Sequence, residues 1–244
     1  METYTRGTLS FGLRASALLL AVVLFAACDE EKSSGNGGSA SGSGGSSNLA
    51  DYADNPCDLM SADDVRSVVP DLPADATHYT GTKSLKMCQY TWPSDRKASR
   101  TVMGRTIEYA VENTVCLNWI RKVRGTDALA WFKNAYRAMS PEEKAQMKAA
   151  LEKAMDEKVE SGEVSRDAKK VGTSTSGGMI DTLRFENVDG VGTAAAWGGT
   201  KDSVGLKVLD GDWEFEISVI ISADDAANRD ASIALAKKIL SNAK

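Results

Sequence analysis

The chain has 244 residues, 42% hydrophobic, 26% charged and 7% aromatic, values that exclude a disordered or collagen-like polymer. Its formal charge is -5, and no run of Lys/Arg is interleaved with aromatics, so there are few counterions to release and a nucleic-acid partner is not expected.

The first 47 residues are unlike the rest. "METYTRGTLSFGLR" supplies two arginines, and Ala15 to Ala27 then gives thirteen apolar or small residues, as the h-region of a signal peptide does. As a helix this run reaches roughly 20 Å, short of the ~30 Å hydrocarbon core, so a transmembrane span is not expected. Removing residues 1–27, with two basic and one acidic side chain, leaves 27 basic and 33 acidic groups. Ser33 to Ser47 is almost wholly Gly, Ser, Asn and Ala. Such a stretch buries nothing to offset its backbone entropy and reads as a tether, on the order of 25 Å r.m.s. from Cys28. The junction "LFAAC" resembles the lipobox of bacterial lipoproteins, with Ala26 and Ala27 before the cysteine and Phe25 where that family usually has Leu. The resemblance implies cleavage before Cys28, a diacylglyceryl group on its sulfur and an acyl chain, palmitate for example, on its amine. It also implies membrane anchorage at the cell membrane or outer membrane, facing the periplasm or the exterior. Two or three chains hold a protein on a bilayer where one does so only marginally. The organisation expected is therefore 1–27 signal peptide, 28–47 linker and 48–244 a single α+β domain with a helical insertion at about 126–160.

Within that domain, "SADDVRSVV" places Ser61 as N-cap with Val65, Val68 and Val69 at helical spacing, stopped by Pro70 and Pro73. "LKMCQYTW" (85–92) predicts a strand. "RTIEYAVENTVCLNWIRKV" alternates with period two and predicts one or two strands interrupted near 112–114. "TDALAWFKNAYRAM" predicts a helix capped by Thr126 or Asp127. "SPEEKAQMKAALEKAMDEKV" predicts a second, with Ser140 as cap, Pro141 at the first helical position and a narrow stripe of Met147, Leu151 and Met155. After a polar stretch (161–178), "MIDTLRFENV" predicts a strand. "DSVGLKVLDGDWEFEISVII" predicts a hairpin turning at Asp210-Gly211, with Trp213, Phe215, Ile217 and Val219 on one face and Glu214 and Glu216 on the other. "SADDAANRDASIALAKKIL" predicts a closing helix capped by Ser222. The order of elements predicts α+β: an antiparallel sheet, helices packed mainly on one face, and a C-terminal helix after a β-hairpin.

Cys57, Cys88 and Cys116 permit one disulfide and one leftover thiol in an exported setting. The expected pair is Cys57–Cys88, with Cys116 a small buried hydrophobe in a strand. A structural zinc site is the rival, and the spacings do not suit its four ligands. "NPCDLMSADDV", "MCQYTW" and "VDGVGTAAAW…GLKVLDGDWEFEISV…ALAKKIL" resemble a group of secreted bacterial lipoproteins of unassigned function. The resemblance covers about half of the folded part and implies location, fold and the same cysteine pair, but no functional residues.

Chemistry is sparse. His78, the only histidine, lies in the Pro/Gly-flanked "ADATHYTGT" and reads as a loop residue. The acid pairs Asp63/Asp64, Glu142/Glu143 and Asp224/Asp225 each follow a serine cap, where the helix dipole accounts for them. Gly190, Gly192 and Ala195 match G-x-G-x-x-A, but Gly198-Gly199 forbids the helix a dinucleotide fingerprint needs. Of the five tryptophans (Trp92, Trp119, Trp131, Trp197, Trp213), most read as core; Trp92, Trp197 and Trp213 are the candidate ligand-facing residues. No cofactor, metal or catalytic residue is expected. The function expected is a non-enzymatic binding module for a small apolar or glycan ligand. The alternative is an envelope protein–protein interaction factor, of inhibitor, immunity or assembly type, using the charged helix 141–160. An enzyme ranks last.

Overall fold

The computed structural model describes residues 48–82, 85–102, 105–201 and 203–244; the leader, Cys28 and the linker lie outside the described residues. These fall into two compact units, residues 140–181 and the remainder.

The larger unit is α+β. Its described residues form two sheets from the strands β1 Thr77–Thr82, β2 Leu85–Trp92, β3 Lys97–Val102, β4 Arg105–Ala110, β5 Asn113–Lys122, β6 Arg184–Val188, β7 Ala194–Thr200, β8 Ser203–Asp210 and β9 Trp213–Ile220. Seven make one antiparallel sheet in the order β1-β2-β5-β9-β8-β7-β6, while β3 and β4, among the described residues, pair only with each other. Strand β2 occupies the stretch 85–92 predicted for it. The apolar series of β9 (Phe215, Ile217, Val219) meets Leu206 and Val208 of β8 and Val115, Leu117 and Ile120 of β5. Against this face lie helix α1 (Ala62–Val68) and the C-terminal helix α5 (Asp225–Asn242), which contributes Leu235, Ala236 and Ile239. Short 3-10 turns at Leu49–Tyr52 and Pro56–Asp58 complete the layer. Burying each such large side chain stabilises by about 1.5–3 kcal/mol, which is why this face is the main core.

The opposite face carries helix α2 (Ala128–Ala135). Phe132 packs there on Val123, Ala196 and Leu209, with Tyr136 and Phe185 at the edge. Asp127 caps α2 by accepting from the Ala130 N–H at 2.8 Å.

The smaller unit is a helical hairpin of α3 (Pro141–Glu160) and α4 (Arg166–Thr182). Leu151, Met155 and Ile180 are buried together, with Met147 and Val164 alongside, so the predicted stripe of α3 is its packing edge. Lys148 pairs with Asp181 at 2.5 Å and Lys169 with Asp156, which sets the helices antiparallel. Helix α4 replaces the expected polar stretch at 161–178, and the strand expected from Met179 begins only at Arg184. Gly172, Gly177 and Gly178 with the interleaved Ser and Thr lower its helix propensity. Burial of Ile180 against α3 compensates. Ser140, the predicted cap, forms a capping box with Glu143, its N–H donating to the Glu143 carboxylate at 2.8 Å. Ser140→Ala is expected to cost about 1 kcal/mol, read as a shift in the urea midpoint of the helical signal; no shift would overturn the capping role.

The two "SADD" starts differ. Ser61 caps α1 in a capping box with Asp64. At α5 the cap is Asp224, accepting from the Ala226 N–H, while Ser222 accepts from the Asp224 N–H at 3.0 Å. The β8–β9 turn also moves by one residue. Asp210 pairs with Trp213, leaving Gly211-Asp212 as the two-residue connection, with Gly211 at φ +59°.

Candidate functional site

Three side chains far apart in sequence converge at the edge of the main sheet. Cys57 comes from the turn Pro56–Asp58, and it is bonded to Cys88 on β2, the expected pair. His78 lies on β1 and not in a loop. It sits directly opposite Tyr90 in the β1–β2 ladder, so it shares a sheet face with Tyr90 and Cys88. The imidazole stacks on Tyr90 with 4.6 Å between centroids and 12° between planes. That stacking aims Nε2 at the bridge, 3.2 Å from Cys57 Sγ and 3.4 Å from Cys88 Sγ. Tyr90 is itself held by its hydroxyl, which donates to the Met60 carbonyl at 3.2 Å. Cys88 is fully buried, whereas Cys57 is half-buried and His78 exposed. Solvent therefore reaches the cluster from the Cys57–His78 side.

A second constellation crosses the face of the sheet opposite the main core. Glu214, only 1% exposed, pairs with Arg121 and accepts from the Tyr136 hydroxyl at 3.2 Å. Strand register produces this: Arg121 stands opposite Glu214, and a bulge between Leu117 and Trp119 places Trp119 opposite Glu216. The Arg121 guanidinium also lies 4.3 Å from the Trp119 ring centroid. Next along, Lys207 meets Glu216 at 2.7 Å, both nearly buried. Asn118 accepts from Cys116 Sγ at 3.0 Å and donates to Ser218 Oγ at 3.1 Å. Gly205 leaves room for this row, since a Cβ there would lie 2.9 Å from both Glu216 Oε1 and Ser218 Oγ.

Burial sets the proton affinities. It raises the Glu214 carboxyl above the usual glutamate range against the opposing pull of Arg121 and Tyr136. Burial and then the Glu214 charge push the Tyr136 phenol far up. Burial, with Glu216 adding, pushes the Cys116 thiol up to about 12. A thiol so placed is a poor nucleophile, which matches its expected role as a buried hydrophobe. The groups satisfy one another, so this row reads as a polar seam of the fold and not as a catalytic set.

The candidate ligand-facing tryptophans are packing residues. Trp92 and Trp197 are 6% and 7% exposed within the main core, and Trp213 packs against it. Asp64 and Glu143 close capping boxes and Asp224 caps α5, as the dipole reading expects. In Asp64, hydrogen bonds from Ser61 outweigh burial and hold the carboxyl below its ordinary value. Gly190 and Gly192 make the turn into strand β7, with no helix after them. A Cβ on Gly192, at φ +57°, would lie 2.4 Å from the Leu209 carbonyl oxygen, so the turn itself requires the glycine.

A third feature is exposed. Every residue of β4 faces solvent, with Ile107 54% and Tyr109 50% exposed.

Comparison with protein-family models, with curated proteins and with solved structures returns no match. Among the described residues, no helix is long and apolar enough to cross a membrane.

Proposed function

We propose that the chain is a lipid-anchored cell-envelope protein that acts by binding another envelope protein, with the β3–β4 hairpin as its docking arm. The observation that carries this reading is the exposed pair Ile107 and Tyr109 on a ribbon that, among the described residues, pairs with no other strand. Period two puts both on one face, and a two-stranded ribbon is marginal by itself in water, so a partner that covers it stabilises it. The segment 97–110 carries Lys97, Arg100 and Arg105 against Glu108, a basic island in a chain of net charge -5. The partner that fits is a protein with an apolar groove rimmed by acidic residues and a strand edge open for pairing. The packing roles of Trp92, Trp197 and Trp213 favour this reading over a small-ligand cleft.

The anchor rests on "LFAAC" and the Gly/Ser tether, which together would hold the arm within reach of membrane-bound partners. One experiment covers both parts. The full chain carries a photoreactive phenylalanine analogue at position 107, 109 or, as control, 201, and is irradiated in intact envelopes. Positions 107 and 109 should yield one common adduct of defined mass that position 201 lacks. The Cys28→Ala chain should lose labelled-palmitate incorporation and membrane partition. Adducts indistinguishable from those at 201, or none, would overturn the docking arm. Retained labelling in Cys28→Ala would overturn the anchor.

A further inference from the structure

We infer that reduction of the Cys57–Cys88 bridge converts this cluster into a metal site, in which Cys57 Sγ, Cys88 Sγ and His78 Nε2 bind one thiophilic divalent cation of the zinc class and leave a fourth position open to water. The three donor atoms lie within 4.8 Å of one another. Tetrahedral bonds of about 2.3 Å to sulfur and 2.0–2.1 Å to nitrogen place neighbouring donors roughly 3.5–3.8 Å apart. The two nitrogen-to-sulfur edges already measure 3.2 and 3.4 Å. Only the edge between the sulfurs must open, and it opens once the covalent bond is gone and the two sulfurs repel to van der Waals distance. Two thiolates, a neutral imidazole and a solvent position make a donor set suited to zinc.

Positioning supports the same assignment. Stacking on Tyr90 fixes the imidazole plane, and the Tyr90 hydroxyl is tied to Met60 O, so Nε2 is held at the bridge before any metal arrives. Cys88 is buried in the middle of β2, paired with Leu117 of β5, while Cys57 sits on a short 3-10 turn at the solvent side. Entry is from that side, where His78 is exposed.

The chemistry balances with a dithiol as reductant. Its two thiols pass two electrons and two protons to the bridge, giving Cys57 and Cys88 thiols and the reductant's own disulfide. The cation then displaces both thiol protons and takes the Nε2 lone pair, with the imidazole proton on Nδ1. With the bridge intact neither of its sulfurs is a thiolate, so metal uptake at this cluster is conditional on the redox state of its surroundings.

The test uses the full chain with Cys28→Ala and Cys116→Ala, so that no other thiol contributes, and Co²⁺ alone as the probe. The anaerobically reduced chain, freed of reductant, should take up one equivalent with thiolate-to-cobalt charge-transfer and tetrahedral ligand-field absorption. The oxidised chain should show neither. His78→Ala should weaken Co²⁺ binding at least tenfold while its oxidised form keeps the parent circular dichroism. Zn²⁺ should displace Co²⁺ and raise the melting temperature of the reduced chain alone. A reduced chain without the charge-transfer band overturns the inference, whether it stays folded or fails to recover native circular dichroism with metal. Equal affinity in His78→Ala also overturns it.

Discussion

Replacing both bridged cysteines, Cys57→Ala with Cys88→Ala, is expected to lower the unfolding free energy by about 3–4 kcal/mol, roughly 10 °C in Tm for a chain of this size. The bridge closes a loop with sequence separation 31, and the loop-closure entropy it removes from the unfolded chain sets that magnitude. The loop holds α1 and all of β1, elements that bury little on their own. Thr77–Thr82 has five of its six residues exposed. Without the bridge, this edge depends on the β1–β2 ladder and on Leu59, Met60 and Val65 in the core. The unfolded chain also expands when the link is cut, so the urea m-value should rise along with the fall in midpoint. Urea titration followed by circular dichroism at neutral pH checks both. A loss under about 1 kcal/mol with an unchanged m-value would place the bridge's role outside stability.

What the residues alone disclose depends on whether a segment carries its own periodicity. Strands β8 and β9 alternate, β2 is a strand-forming run closed by Pro93, and α1, α3 and α5 carry serine and acidic start signals. All six are therefore legible along the chain, although the α5 cap falls on Asp224 and not on Ser222. Strand β1, "THYTGT", has no buried series and exists through its pairing with β2. Strand β7, "AAAWGGT", is buried through small residues that carry no period-two pattern. Helix α4 is hidden by its glycines and hydroxyls and stabilised by α3.

The candidate sites divide the same way. Counting thiols permits one bridge, and reading Cys116 as a buried strand residue, together with the resemblance, singles out Cys57–Cys88. His78 reaches that bridge only through strand register, which no local pattern encodes. Period two assigns Glu214 and Glu216 to the face away from the main core, yet it does not say that the face is covered. The apolar partners Val123, Ala196 and Leu209 on that same face are the available signal, since they imply a second layer such as α2. Ion pairs there are consequences of long-range pairing and stay invisible to a reading along the chain.

That second layer carries the other large expectation. Arg121→Met should destabilise the fold by about 3 kcal/mol at pH 7. The carboxylate of Glu214 is almost wholly buried, and removing its cation leaves the Tyr136 hydroxyl as its partner. Breaking a buried pair from one side costs about 3–5 kcal/mol, and the lower end applies because the Arg121 side chain is itself 54% exposed and screened. The pH dependence gives the sign. Glu214 binds its proton more tightly in the folded chain than in the unfolded one. Between those two affinities the folded state holds more protons, so stability falls as pH rises through the window. Arg121 opposes burial, so its loss raises the folded affinity further and extends the window upward. The penalty of Arg121→Met should therefore be largest at neutral pH and shrink as pH drops toward the ordinary glutamate range. The double variant with Glu214→Gln should recover most of the loss, because a neutral amide needs no counter-charge. Urea unfolding of the four chains from mildly acidic to mildly alkaline pH provides the cycle. A penalty that is flat with pH, or that Glu214→Gln does not relieve, would show that Arg121 acts through its contact with Trp119 and not through the buried carboxylate.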